Sequence, residues 1–422
     1  MSFTQNRRQF VTSFPTIVAG AALGLNGAVA ASDRITVGAI GIGKRNQNNI
    51  SKFLKESDVQ MVAACDCFAD RQQTGKRMID GHYGNSDCKT YRFHEEVLER
   101  KDIDAVLIGT GDRWHALLSM ISARAGKDVY CEKPYSMTIG EGRALVNTTK
   151  RYGTVWQCGT QRKSNPGYKF IRDVVVNGRV GKLHTITTSF GASGGWRGNA
   201  FPKPEAAPNP ETFDYDRWLG QAPWRPYSSD GVKHWRLNWD TGAGPIADMG
   251  AHYLETAQWA REDEFTGPAE FEGEAVFRND GGINNIPYEY HVRASYPDGV
   301  RILMDPGPKG LRFSGDKGWI HLSDIGGITA QPASVLEGLT PPIAHWQIQT
   351  PHIRNFLDCM RSRKLTNSHP EIAQRVHTII HCANLALRLG RRLKWNPKTE
   401  RFVGDEAANN MLSRTMRAPW RV

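Results

Sequence analysis

The sequence predicts an α/β protein in two parts. The first is a parallel sheet with helices on both faces, and the second an α+β domain with a large open, mostly antiparallel sheet. Three observations carry this. Up to residue 158, short apolar runs ending in glycine or an acid alternate with helical patterns, the spacing of a parallel sheet. From residue 159 onward the apolar runs alternate with polar residues, as in a sheet with one open face. With 422 residues, the chain can bury two separate cores.

The elements follow in order. Residues 34–42 read as a buried strand (Ile35, Val37, Ala39, Ile40) ending in glycines. Residues 47–55 are helix-like, with Ile50, Phe53 and Leu54 on one face. A strand over 59–65 is closed by Asp66, and a polar helix covers 71–79. A short strand at 91–93 and a short helix at 95–100 precede a strong strand at 104–109. Helix 115–125, strand 128–131, helix 141–151 and strand 154–158 complete the first half. Beyond it, strands are expected at 184–190, 270–277, 288–296, 301–304 and 318–322. Amphipathic helices are expected at 351–363 and 371–389. The stretch 191–239 is rich in Pro, Gly and Trp, and a connection that long in a compact domain is usually functional or disordered.

Hydrophobic content of 39% and charged content of 23% suit a soluble globular protein. The first thirty residues have the make-up of an export signal. Asn6-Arg7-Arg8-Gln9-Phe10-Val11 resembles the twin-arginine consensus, a weakly apolar run follows, and Ala28-Val29-Ala30 is a cleavage site. The run is too short and too rich in glycine for a stable membrane span. The expected organisation is a signal over 1–30, a dinucleotide-binding domain over 31–158, a substrate-binding and oligomerisation domain over 159–403, and a tail over 404–422. Formal net charge is +11, yet the basic residues are dispersed, with no stripe or DNA-binding motif, which speaks against nucleic acid and favours an anionic substrate or cofactor. Seven cysteines without small-domain spacing argue against a disulfide scaffold, and no ligand set for a metal is complete.

Gly38-Ala39-Ile40-Gly41-Ile42-Gly43 ends the first strand. Glycines there let the backbone turn tightly and approach a pyrophosphate at the next helix N-terminus. The third glycine of the fingerprint is replaced by Asn46. Asp66 ends the second strand, where an acid accepts the ribose hydroxyls of NAD and repels a 2′-phosphate. Arg45 lies in the turn. Thr110 and His115 follow the fourth strand and Glu132-Lys133-Pro134 the fifth, on the edge where open α/β sheets bind ligands. Asp248 and His252 stand four residues apart, on one helix face, after Gly242-Ala243-Gly244-Pro245. An acid that orients an imidazole base is ordinary proton-transfer machinery.

These motifs together resemble the Gfo/Idh/MocA oxidoreductases. The carrying residues are the Gly41/Gly43 turn, Asp66, Thr110 to His115, Glu132-Lys133-Pro134, Gly159-Thr160-Gln161-Arg162, and Gly244 through Asp248 to His252. The stretch from Asp214 through Trp218 to Pro223, with His234-Trp235-Arg236, resembles an exported subgroup. The resemblance implies a Rossmann domain, a second α/β domain with an open antiparallel sheet, and association into a dimer or tetramer through that sheet. It implies NAD or NADP and a carbohydrate or polyol substrate; Asp66 favours NAD over NADP, and export favours a cofactor that is tightly held. Carried over by residue, Lys133, Asp248 and His252 are catalytic. Gly41, Gly43, Arg45, Asp66, Thr110, His115, Glu132, Lys133 and Gln161 hold the cofactor, and Tyr168, Trp235 and Arg236 the substrate.

The expected function is oxidation of a hydroxyl on a sugar, sugar derivative or cyclitol in the periplasm. The rival is an NAD-dependent glycoside hydrolase that oxidises its sugar transiently. Its members resemble Tyr-x-x-His where this chain has Asp248-x-x-x-His252.

Overall fold

In the computed structural model the described residues are 30–191, 202–277, 281–343 and 350–422. The stretch 1–30 that the sequence reads as an export signal lies outside them, save its last residue. The first domain runs β1 (Ile35–Ile40), α1 (Lys44–Phe53), β2 (Val59–Cys65), α2 (Ala69–Tyr83), β3 (Lys89–Tyr91), α3 (His94–Glu99), β4 (Ala105–Ile108), α4 (Asp112–Arg124), β5 (Asp128–Cys131), α5 (Ile139–Tyr152) and β6 (Trp156–Cys158). Its six strands are parallel in the order β3-β2-β1-β4-β5-β6, the Rossmann arrangement. The order reverses between β1 and β4, so the glycine turn after β1 and the loop after β4 open a crevice at the strands' carboxyl ends.

The second domain starts with α6 (Pro166–Val176) and β7 (Leu183–Gly191). Short helices α7 (Tyr215–Leu219) and α8 (Ser229–Lys233) lead to the long α9 (Gly244–Ala260). Then come β8 (Glu270–Val276), β9 (Glu289–Ser295), β10 (Arg301–Asp305), β11 (Gly307–Gly315), β12 (Gly318–Ser323) and β13 (Ile328–Gln331). Helices α10 (Thr350–Ser362) and α11 (Pro370–Leu389), strands β14 (Leu393–Asn396) and β15 (Arg401–Phe402) and helix α12 (Glu406–Asn409) close the chain. The sheet has nine strands in the order β13-β12-β11-β7-β10-β9-β8-β14-β15, antiparallel except between β7 and β10. Alternate residues of β9 and β10 (Tyr290, Val292, Ala294, Ile302, Met304) are buried under α9 and α11, and their neighbours are exposed. That is the period-2 pattern of one open face.

The structure adds to the sequence reading in several places. Strand β11, which opens on Gly307-Pro308, was not expected, because glycine and proline mark turns. Helix α10 belongs by packing to the first domain, not the second: Ile353, Phe356 and Leu357 join Phe53 and Tyr130 in its core. Full burial of a ring such as Phe356 stabilises by about 2 kcal/mol. An ion pair from Arg354 to Asp58 adds to that seam. The tail is no loose end. Gly140 donates to the Leu412 carbonyl at 2.7 Å, Arg414 pairs with Glu141, and the Trp420 ring meets Trp114 edge to face at 4.8 Å. Among the described residues no helix is long and apolar enough to cross a membrane.

Burial holds many histidines neutral. It pushes His94, His115, His352 and His381 down to about 4 and His377 to about 3. Unfolded, each titrates near 6.5, so the unfolded chain gains protons first as pH falls and stability is lost below that value. Asp112 and Glu255, raised by burial to about 7, act in the opposite sense but are fewer. The melting temperature should therefore fall between pH 7.5 and pH 5. A scanning-calorimetry series showing an unchanged or higher value at pH 5 would contradict this ledger.

Candidate active site

The glycine turn is built by contacts only glycine permits. Gly41 has φ of +81°, and a Cβ on it would lie 2.7–2.8 Å from the Thr110 backbone. A Cβ on Gly43 would meet nothing within 4 Å, so its backbone faces open space at the N-terminus of α1. No side chain caps that N-terminus and no acid sits in its first turn, which leaves its amide dipoles for an anion. Asn46, in place of the third glycine, does not loosen the turn. Its side-chain amide donates to the Gly41 carbonyl at 2.7 Å, and Gly109 supplies the room: a Cβ there would strike Asn46 at 2.4 Å.

Beside the turn lies a cavity of about 640 Å³. It is lined by Gly41, Gly43, Arg45, Asp66, Thr110, Trp235 and Arg236 from the sequence reading. Asp66 accepts from the Ile42 amide at 2.6 Å and the Phe68 amide at 2.9 Å, so the same carboxylate that borders the cavity also shapes the turn. A segment of the second domain roofs this end. The Phe213 ring stacks on Phe68 at 3.7 Å, and Asp214 and Cys67 share a main-chain hydrogen bond. The first turn of α4 holds the roof from below. Buried Arg113 donates from Nε to the Trp218 carbonyl at 2.8 Å and lies over the Trp218 ring, and Trp114 donates to the Arg217 carbonyl at 3.1 Å.

Behind Arg45, which lines the cavity, Glu132 is buried and its Oε1 accepts from Arg45 (2.8 Å), Asn49 (2.9 Å) and Gln161 (3.1 Å). Burial opposes its ionisation, but Arg45 and Lys133 outweigh burial and leave it a carboxylate. Glu132 Oε2 and Arg45 Nη2 are buried without a protein hydrogen-bond partner. The unpartnered acceptor and donor, the open backbone at Gly43 and the uncapped helix fit a dinucleotide with its hydroxyls, amide and pyrophosphate.

Lys133 and Asp248 meet across the domain boundary. Lys133 Nζ donates to the Asp248 carboxylate at 2.7 Å and to its carbonyl at 2.6 Å. Arg236 Nε lies 3.8 Å from the same carboxylate. Burial works against this charge, but Lys133, Arg236 and Lys309 hold the Asp248 pKa well below the usual carboxylate range. The carboxylate is thus committed to the lysine, not to His252 as the sequence reading had it. His252, one turn along α9, is 5% exposed and its Nδ1 has no hydrogen-bond partner among the described residues. Burial, reinforced by Arg162, Lys133 and Arg45, holds its pKa well below 6.5, so the imidazole is neutral.

Two models describe this arrangement: an oxidoreductase-family NAD-binding Rossmann fold over residues 35–160, and the C-terminal alpha/beta domain of the same family over residues 165–422. The chain belongs to the Gfo/Idh/MocA oxidoreductase family. A myo-inositol 2-dehydrogenase of Thermotoga maritima is 27% identical over 150 residues, 36% of this chain and 43% of that protein, so the match spans less than half of it. The rhizopine catabolism protein MocA of Rhizobium meliloti is 28% identical over 295 residues, 70% of this chain and 77% of that protein. The aldose-aldose oxidoreductase of Caulobacter crescentus, solved with glycerol, superposes with a TM-score of 0.64 at 18% identity, covering 86% of this chain and 99% of that one, and shares the fold.

Within this Gfo/Idh/MocA member, two expected site residues stand elsewhere. His115 is buried, its Nδ1 2.6 Å from the Pro134 carbonyl and its Nε2 3.1 Å from that of Thr110. It braces the lysine loop and, like Glu132, Lys133, Gln161, Asp248 and His252, is not among the residues that line the cavity. Tyr168 has no exposed surface and sits in the second domain's core behind Arg162, so it cannot touch a substrate there. Three residues near the chemistry were missed. Asp112 accepts from the Ala243 amide at 3.1 Å and ties α4 to the approach of α9. Arg162 pairs with Asp324 at 3.0 Å near His252. Lys309 lies on β11, the strand the sequence pattern concealed.

Proposed function

We propose that this protein is a dehydrogenase that uses NAD to oxidise a secondary hydroxyl of a sugar, sugar derivative or cyclitol. The observation that carries the reading is a neutral His252 with an unpartnered ring nitrogen, on the helix whose Asp248 grips Lys133 beside the dinucleotide cavity. Bound NAD supplies the acceptor for the two electrons and the hydrogen that leave the carbinol carbon. His252 takes the hydroxyl proton. The Lys133 ammonium, fixed by Asp248, steadies the charge that grows on that oxygen and holds it in place, and positioning of this kind is worth several kcal/mol of barrier. The transient-oxidation hydrolase is the less favoured reading, since the Asp248–His252 spacing departs from the hydrolase pattern.

NAD is the preferred cofactor on this reading because Asp66 stands at the end of β2, and the Phe213 roof favours tight retention. The twin arginines support export to the periplasm, and the open sheet face supports a dimer or tetramer.

His252→Ala should lower turnover by roughly 10²–10⁴ while NAD stays bound, the scale of general-base catalysis. Because the His252 pKa lies well below 6.5, the wild-type rate should persist as pH falls through 6.5. Lys133→Met and Asp248→Asn should both lower turnover, with losses that do not add. Steady-state kinetics across pH with bound NAD measured in parallel decides this. Near-normal turnover in His252→Ala would move the base to Lys133.

NAD should bind more tightly than NADP, and Asp66→Ala should narrow the difference. Equal affinities in the unaltered protein would refute the assignment of Asp66.

Lysine at both positions 7 and 8 should trap the precursor in the cytoplasm, whereas the wild-type mature protein should sediment as a dimer or tetramer from the periplasm. Unchanged periplasmic yield, or a monomer, would count against the respective assignment.

A further inference from the structure

The charges around Asp248 do not balance. Two cationic side chains approach this one carboxylate closely, and a third stands near it. Lys133, after β5, binds it at 2.7 Å. Arg236, stacked on Trp235 at 4.2 Å, brings Nε to 3.8 Å. Lys309, from β11, runs its methylene stem past Gly191 and adds its charge to the same acid. The nearby cations are otherwise matched, Arg162 by Asp324 and Arg45 by Glu132. The other acid facing Arg236 is Asp112, which burial raises to about 7, so at neutral pH it is only partly ionised. His252 is neutral. Among the described residues, the site therefore carries an excess of positive charge next to the proposed base.

Like charges held this close repel, and the cost is met when an anion arrives. The cofactor does not account for all of it. Its pyrophosphate has the N-terminus of α1, with Lys44 and Arg45; Arg236 lines the dinucleotide cavity, but Lys309 does not. A neutral polyol could accept hydrogen bonds from Arg236 and Lys309 but would leave their charge unbalanced.

We propose that the substrate is a sugar acid, a uronate or aldonate, whose carboxylate is held by Arg236 and Lys309 while its hydroxyl faces His252 and Lys133. This rests on the dehydrogenase reading above. A guanidinium and an ammonium on one carboxylate form charge-assisted hydrogen bonds, the stronger class. They would fix the acid's end of the molecule and so select which carbinol carbon is presented.

The test uses the NAD-loaded full protein and matched pairs: D-glucuronate with D-glucose, D-galacturonate with D-galactose, D-gluconate with D-glucitol, and myo-inositol alone. NADH formation and calorimetric binding are measured for each. The acid of at least one pair should bind at least about tenfold more tightly than its neutral partner, the scale of one charge-assisted hydrogen bond. That preference should shrink with added salt. Lys309→Gln and Arg236→Gln should each raise KM for the acid more than for its partner, with smaller effects on kcat. Equal or weaker binding of every acid overturns the proposal. An acid bound selectively with no NADH from any compound leaves the anion site standing and overturns the dehydrogenase reading instead.

Discussion

The Lys133–Asp248 contact is the constraint on which the rest of the site depends. The lysine belongs to the edge of a parallel sheet and the acid to the first turns of a helix in the other domain. Each half would be ordinary alone. Together they hold an ammonium and a helix face in register next to Arg236 of the cavity lining, and they do so with a charge pair that burial alone would not favour. Much nearby structure maintains that register. His115 braces the carbonyl of Pro134, Asp112 ties α4 to Ala243, and Asn384 of α11 donates to the Ala243 carbonyl at 3.3 Å.

The same economy appears at the cofactor end. The glycine fingerprint is incomplete at Asn46, yet the turn is tighter for it, because the amide bonds the Gly41 carbonyl in space that Gly109 provides. The roof from Asn209 to Arg236 is fixed to the first domain by the Phe68–Phe213 stack and by Arg113. The tail then pins the roof: Arg417 donates to the Gly220 carbonyl at 3.0 Å, and its amide to that of Gln221. A long irregular connection and a polar tail thus become one cover over the cavity.

Much of this was legible in the sequence, for identifiable reasons. The parallel sheet could be read because its strands are buried on both faces and stand out as apolar runs. Lys133, Asp248, His252 and the Gly41/Gly43 turn could be read because spacing alone places them at strand ends or on one helix face. Helix starts were less legible. Helix α1 begins at Lys44, before its apolar face does, because Gly43 sets the entry. Strand β11 and with it Lys309 were hidden by Gly307-Pro308, local turn signals that pairing with β7 and β12 overrides. Partner choice was not legible at all: that Asp248 serves the lysine and not the imidazole depends on a contact between residues 115 positions apart. The burial of Tyr168 and the docking of α10 on the first domain are tertiary facts of the same kind.

A crystal structure of the protein with NAD bound tests the central claim most directly. The account predicts the pyrophosphate at the N-terminus of α1 beside Gly43, and the nicotinamide ring beside Lys133 with His252 facing its reactive side. Lys133 should remain paired with Asp248. A ring directed away from Lys133, or a lysine released from Asp248 with NAD in place, would contradict it.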